Sequence, residues 1–478
     1  MAHAGAPLTS DARHDSYRTG RVVMLAGTAA LGGFLFGFDS AVVNGATSAI
    51  RTTFGLSEFT LGFVVAIALI GSALGAWFSG LLADRFGRRR VMVMAAALFF
   101  VAAFGQAFPI GVWDLCLWRF IGGAGIGVAS VMAPMYIAEV APAQLRGRMG
   151  SLQQLAIVLG IFATGLTNFL ILNAAGGNSL NPWLLGLEAW KWMFLTMVIP
   201  AAIYGILAWR LPESPRYLIE VGRDAEAAEV LGQVYVDRIT ERVAEIKASM
   251  AGHAKSSLKD LRGNRFGLQP IVWVAIILAA LQQFVGINAV FYYSNQIWQS
   301  VGFSEDQAFG TSLITTGINV LFTFVAIALI DRVGRKPLLL VGSIGMTITL
   351  AVLTYVFATA PLDSVGDPVL SRGTGLVAVI AFNLYVAFFA ATWGPVLWVL
   401  LGEMFSNRIR AAALALAAAA NWVANFIITM SFPWLADRGL GLAYSIFTIF
   451  ALLSIPFVLR KLKETKGVEL ENMSSVGM

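Results

Sequence analysis

Twelve apolar runs, each long enough to cross a bilayer, leave this chain few ways to fold. They fall at 22–46, 60–83, 91–111, 115–138, 149–172, 192–209, 269–297, 309–330, 338–359, 375–402, 411–433 and 441–459. A helix of about 20 apolar residues matches the hydrocarbon thickness of a membrane. In lipid only a helix or a closed barrel satisfies its own backbone. These runs are too long for barrel strands and lack their alternation. The pattern predicts an all-α membrane protein with twelve transmembrane helices. At 58% hydrophobic and 13% charged, the sequence could not cover a soluble surface of this size.

Basic residues set the orientation. With the N-terminus inside, cytoplasmic segments hold 28 of the 33 Lys and Arg residues. The outer segments hold only Arg51, Lys191, Arg372 and Arg438, and Arg119 lies within a span. Both termini are then cytoplasmic. The net charge of +6 reads as a topology signal, not as a nucleic-acid footprint. Residues 1–21 form a polar cytoplasmic tail without the apolar core of a signal peptide. Cys116 is the single cysteine, so no internal disulfide framework exists. His3, His14 and His253 fall in the tail and the central loop, which excludes an intramembrane histidine relay.

The longest break, 210–268, divides the spans six and six, giving halves at 22–209 and 269–460 and a C-terminal cytoplasmic tail at 461–478. Within the break, charged and apolar residues recur at helical spacing over 224–231 and 238–243, which predicts short cytoplasmic linker helices. The halves repeat each other. Asp84–Arg85–Phe86–Gly87–Arg88–Arg89–Arg90 follows the second span, and Asp331–Arg332–Val333–Gly334–Arg335–Lys336 follows the eighth. Glu139 through Arg146 follows the fourth, and Glu403 through Arg410 follows the tenth. A duplicated six-helix unit of this kind places its binding site between the halves. Gly122–Gly123–Ala124–Gly125–Ile126–Gly127 has the composition of a phosphate loop, but no strand precedes it and it lies in an apolar span. It reads as a helix-packing surface. No nucleophile–base set or metal cluster stands out, so an enzyme is not expected, and neither a metal nor an organic cofactor.

Two ionisable residues sit deep in apolar sequence: Asp39 in the first span and Arg119 in the fourth. A charge in hydrocarbon costs about 2.5 kcal/mol or more, so such residues line a pathway or pair with one another. If rocking of the halves changes their separation, proton binding and conformation become linked, and the coupling is reciprocal. A purely structural pair pinning two helices remains the alternative.

Further motifs carry a resemblance. They are Gly37–Phe38–Asp39–Ser40, Pro134–Met135–Tyr136–Ile137–Ala138–Glu139, Pro212–Glu213–Ser214–Pro215–Arg216, Gln282–Gln283–Phe284-x-Gly286–Ile287–Asn288 and Trp393–Gly394–Pro395-x-x-Trp398. With them the chain resembles the sugar porters of the major facilitator superfamily over about 22–467. It is most similar to bacterial proton-coupled glucose and xylose symporters and more distantly to human glucose facilitators. Those facilitators carry asparagine at the place of Asp39 and a glutamate at that of Ala390, so the resemblance leans to the proton-coupled branch. At Ile161 the chain matches the glucose carriers rather than the xylose carrier, which has glutamine. The closing motif reads Lys463–Glu464–Thr465–Lys466–Gly467 where the family has proline first.

The resemblance implies a major facilitator fold and monosaccharide uptake by alternating access, with glucose ahead of xylose or galactose and the proton as coupling ion. A passive facilitator, a polyol or inositol symporter and, remotely, a membrane sugar sensor stay open. A sugar presents hydroxyls that donate and accept, and a flat C–H face, so its pocket needs amides and aromatic rings. The implied sugar ligands and walls are Phe36, Gln154, Ile161, Gln282, Gln283, Asn288, Asn319, Phe389, Gly394, Trp398, Asn421 and Trp422. From the residues alone, each amide serves equally as ligand or as interhelical glue. Asn44 and Asn168 read as glue or wall. Tyr292 and Tyr293 are implied to close an outer gate, and Pro395 to break span ten as a hinge. Arg88, Glu139, Arg146, Arg335, Glu403 and Arg410 are implied to form a cytoplasmic salt-bridge lattice that holds the halves together when the outer side opens. The expected partners are the sugar and the bilayer, with the chain acting as a monomer at a bacterial cell membrane.

Overall fold

The structure, a computed structural model, describes residues 16–251, 258–263, 267–361, 368–405 and 409–465. Among them twelve helices are long and apolar enough to cross a membrane. In order they are Thr19–Gly45, Glu58–Phe86, Arg88–Ala107, Val112–Val140, Ser151–Ala174, Ala189–Arg210, Pro270–Gln299, Glu305–Ile330, Arg335–Ala358, Arg372–Glu403, Ala412–Asp437 and Leu440–Lys461. His3, His14 and His253 lie outside the described residues.

Each half packs on its own helices, and two pairs make the most extensive contact between the halves: span two against span eleven, and span five against span eight. Close approach needs small residues. A Cβ on Gly62 would stand 2.2 Å from the Met430 carbonyl across the first of these seams. Inside the N-terminal half, Cβ atoms on Gly123 and Gly127 would each fall 2.0 Å from carbonyls of span two, at Ala68 and Ser72. The glycine run of span four is therefore a packing surface, and a side chain at either position would push the helices apart.

Span seven breaks, which its uninterrupted apolar sequence did not foretell. One segment ends at Phe284 and the next starts at Ile287, with Gly286 left-handed at φ 89°. The ring of Phe447 lies 2.5 Å from where a Cβ would be, so only glycine fits. Span ten breaks too, although not at Gly394–Pro395. The helix Arg372–Ala391 ends, Thr392 takes φ −136° and ψ −86°, and Trp393–Glu403 follows. Pro395 therefore sits in the first turn of the new segment, where its missing N–H is tolerated. It frees the Ala391 carbonyl rather than forming the hinge itself.

The linker holds helices Pro215–Glu220, Asp224–Val234 and Ile239–Ala251, whose apolar faces share a small core of Leu218, Ile219, Ala227 and Val230. The tail does not end at residue 21 as the sequence suggested, because the first helix already begins at Thr19. Tyr17 pairs with Tyr235 as an isolated antiparallel bridge, Arg18 N–H donates to the Val234 carbonyl at 2.8 Å, and Arg21 reaches Gln233. These bonds tie the start of span one to the linker.

Candidate functional site

Four amides meet at the centre. Gln282 and Gln283 end the first segment of span seven, Asn288 opens the second, and Asn421 comes from span eleven. The turn at Gly286 brings Asn288 back over Gln283, and Asn288 Nδ2 donates to Gln283 Oε1 at 2.6 Å. Gln283 Nε2 donates to Asn421 Oδ1 at 3.0 Å and to Gln282 Oε1 at 3.4 Å. Asn421 Nδ2 donates to Gln282 Oε1 and to the Ala279 carbonyl, each at 2.9 Å. Gln282 Nε2 donates to the carbonyls of Trp393 and Gly394 at 2.9 and 3.4 Å, beside the break in span ten.

An amide has two donor hydrogens and room for two acceptor bonds. Gln282 uses all of these within the protein, so in this state it anchors span ten rather than offering groups to a ligand. Gln283 and Asn421 each keep one acceptor position. Asn288, only half-buried, keeps one donor and its whole carbonyl oxygen. Gln154 and Asn319 make no side-chain hydrogen bond among the described residues. Free capacity thus lies on Gln154 of span five, Asn288 of span seven and Asn319 of span eight. Phe36 and Trp422 face each other across the halves at 6.2 Å, Phe389 packs beside Gly394, and Trp398 is 39% exposed.

At the end of the molecule opposite the basic loops, hydrogen bonds cross between the halves. Asn44 Nδ2 donates to Ser294 Oγ at 2.9 Å, and Asn295 returns two bonds to Asn44 at 3.1 Å each. Ser312 Oγ donates to Asn295 Oδ1 at 2.6 Å. Asn44, read from sequence as glue or wall, therefore bonds span one to span seven across the halves. Ile161 lines a cavity of about 20 Å³ behind it with Asn168 and Thr316. The Tyr293 hydroxyl donates to the Thr429 carbonyl at 3.0 Å and its ring stacks on Phe432. The Tyr292 hydroxyl faces Asn425 and Ser40, so it reaches the neighbour of Asp39 across the interface.

Asp39 is fully buried and Arg119 is 2% exposed. They face each other without touching: among the described residues neither Asp39 oxygen has a hydrogen-bond partner, and no ion pair within 4.0 Å joins the two. Arg119 instead donates Nη1 to Gln106 Oε1 at 3.4 Å and Nη2 to the Val65 carbonyl at 3.2 Å. Gln106, from span three, was not singled out in the sequence.

The family model for sugar (and other) transporters matches residues 25–476. The chain belongs to that family. The transporter is 52% identical to the glucose transport protein of Synechocystis over 95% of this chain and 97% of that one. It is 36% identical to the D-xylose-proton symporter of Escherichia coli, over 96% of both chains. Among solved structures it is similar to the xylose transporter XylE of Escherichia coli in an inward-open conformation, at 35% identity and a TM-score of 0.79, covering 95% of this chain and 99% of that one. It is also similar to the proton:xylose symporter XylE, of the major facilitator superfamily, bound to 6-bromo-6-deoxy-D-glucose, at 36% identity and a TM-score of 0.77, covering 96% and 100%. The fold is thus the major facilitator fold, and the chain is a transporter rather than an enzyme.

At its basic end the transporter repeats one device in each half. Arg88 gives its guanidinium fork to Glu139 at 3.0 Å on both sides, and Arg335 does the same with Glu403 at 2.9 and 2.7 Å. Ser214 donates to Glu139, and Thr465 to Glu403. Glu213 accepts from the backbone N–H of Arg88 at 2.8 Å and of Arg89 at 3.2 Å; Glu464 accepts from those of Arg335 and Lys336 at 3.0 Å each. A carboxylate there satisfies unpaired helix N–H groups and meets the positive end of the helix dipole. The roles of Glu213, Ser214, Glu464 and Thr465 were missed. The signal was present: Glu-Ser and Glu-Thr follow the last span of each half at matching places. Arg410 donates to the Phe405 carbonyl at 2.9 Å, and the side chain of Arg146 lies outside the described residues. Each bonded pair closes its own half; among the described residues none of these arginine–glutamate pairs links the two.

Proposed function

We propose that the transporter takes up a monosaccharide, glucose first among them, together with a proton by alternating access. The observation that carries the reading is the central set of amides, with unspent capacity on Asn288, Gln154 and Asn319, on spans that also carry Phe36, Phe389, Trp398 and Trp422. Hydroxyls need partners that donate and accept, and amides in a partly apolar cleft supply them. The likeness to a glucose transport protein and to xylose–proton symporters supports the same chemistry. Asp39 with Arg119 supplies the proton step, and no other cofactor is required. The basic loops face the cytoplasm of a bacterial cell. Hydrogen bonds across the opposite end then make this the state closed to the outside. One chain supplies both walls of the site, so a monomer suffices. The test is uptake into proteoliposomes under an imposed proton gradient, competed by glucose, xylose, galactose and inositol. Glucose-competed accumulation supports the proposal. Uptake that ignores the gradient, or that inositol alone competes, overturns it.

The arginine–glutamate pairs give a further expectation. When the outer side opens, the same carboxylates are proposed to meet the other half. Glu139→Ala removes that contact and leaves the buried Arg88 only the exposed Asp84 carboxylate, 3.9 Å away. The variant is expected to favour the inward-open state, raising labelling of cysteines introduced on the cytoplasmic side several-fold. Equal labelling in variant and parent counts against the role.

A further inference from the structure

We infer that Gln106 is a spacer between Arg119 and Asp39 that sets the proton affinity of the coupling site. The inference rests on the proton-coupled reading above. Three buried polar side chains from three spans converge here: Asp39 from the first, Gln106 from the third and Arg119 from the fourth. Gln106 is wholly buried, in a helix whose other buried residues beyond Arg88 at its start are apolar or small. Its Oε1 accepts from Arg119 Nη1, and its Nε2 has no hydrogen-bond partner among the described residues. A Cβ added at Gly122 would stand 3.0 Å from that Nε2 and 3.3 Å from Asp39 Oδ2, so the two polar atoms border the same space beside span four. The amide therefore presents its oxygen to the guanidinium and its nitrogen to the carboxyl side.

That orientation is the one a neutral bridge between cation and anion requires. It keeps a strong attraction at one remove. With the Val65 carbonyl holding Nη2, the guanidinium is tethered on the side of span two and the end of span three. The other titratable groups facing the pair are Cys116 on span four and Tyr292 and Tyr293 on span seven. None of them carries a full charge at neutral pH, so Arg119 is the cation to which Asp39 answers, and Gln106 controls its approach. Without the amide, Arg119 is free to close on Asp39. Direct contact favours the charged carboxyl, and the proton is then taken up only from more acidic solution.

The test uses the full-length protein in proteoliposomes. Initial uptake is measured against external pH under a fixed gradient, with equilibrium counterflow of sugar measured in the same vesicles. Gln106→Met keeps length and volume but removes the amide. Its pH of half-maximal uptake is expected about one unit or more below the parent's, with counterflow within twofold. Gln106→Asn shortens the spacer and should shift the profile the same way by less. If the Met variant shows no counterflow and so has not folded, the Asn variant decides. In a variant that retains counterflow, a profile that overlays the parent's or one that moves to alkaline pH overturns the spacer role. Asp39→Asn run alongside separates the two claims: accumulation that survives it removes the proton reading itself, whereas loss there with unmoved Gln106 profiles removes only this inference.

Discussion

Asp39→Asn is expected to end uphill accumulation completely while leaving exchange of sugar across the membrane within a few-fold of the parent. Asparagine is nearly the same size, so packing in the fully buried site is preserved. It cannot exchange a proton in this range. By linkage, a gradient drives sugar only if proton binding and the inward–outward equilibrium bias each other. One proton per sugar moved with a gradient of one pH unit supports about tenfold accumulation, since each unit is worth about 1.4 kcal/mol. The variant should bring that ratio to one. Counterflow needs only the empty and loaded carrier to reorient, and it should persist. Accumulation retained under the gradient would mean that the carboxyl is structural.

The structure gives this pair more definition than the sequence did. An acid in span one and a base in span four were visible as charges in apolar runs, because a charge in lipid is rare enough to stand out. Gln106 was not visible, because a lone amide in a helix carries no such alarm. The same distinction runs through the fold. Twelve spans, two halves and the repeated loop motifs were legible, since length and hydropathy decide them before packing does. The break at Gly286 was not. With 48 glycines in the chain, one more in an apolar run says nothing until Phe447 is seen to fill the space a side chain would need. Proline pointed to the break in span ten within one turn, yet the chain bends at Thr392, because a proline is accommodated in a first turn and forces the interruption just before it.

The central amides show what composition leaves open. Their residue types fit both a sugar ligand and glue between helices, and the structure divides them by how many bonds each has already made. Gln282 is spent on Asn421, Gln283 and the backbone of span ten, so it ties the binding cleft to the segment that carries Trp398. A ligand that draws Gln283 or Asn421 toward itself therefore pulls on Gln282, and through it on the break at Thr392. On the sugar-binding reading proposed above, that is a physical route from occupancy to movement of span ten, and it needs no contact between sugar and hinge.

Asn288→Ala is expected to weaken sugar binding about 100-fold. Asn288 offers the ligand one N–H and a carbonyl oxygen with no partner among the described residues, while its second N–H fixes its orientation through Gln283. Two or three hydrogen bonds to sugar hydroxyls, at about 1–1.5 kcal/mol each, amount to about 3 kcal/mol. At 1.4 kcal/mol per decade that is two orders of magnitude in Kd. The fold should survive, because the residue is only half-buried and begins a helix that Gly286 already positions. Gln283 loses one donor to its oxygen but retains both bonds from its nitrogen. Glucose titrated into the purified variant, followed by calorimetry, reads the loss directly. A Kd within threefold of the parent's would show that Asn288 serves only to hold span seven together. Gln282→Leu should behave differently. It breaks bonds to span ten, so its defect is expected in the rate of reorientation during counterflow more than in equilibrium affinity.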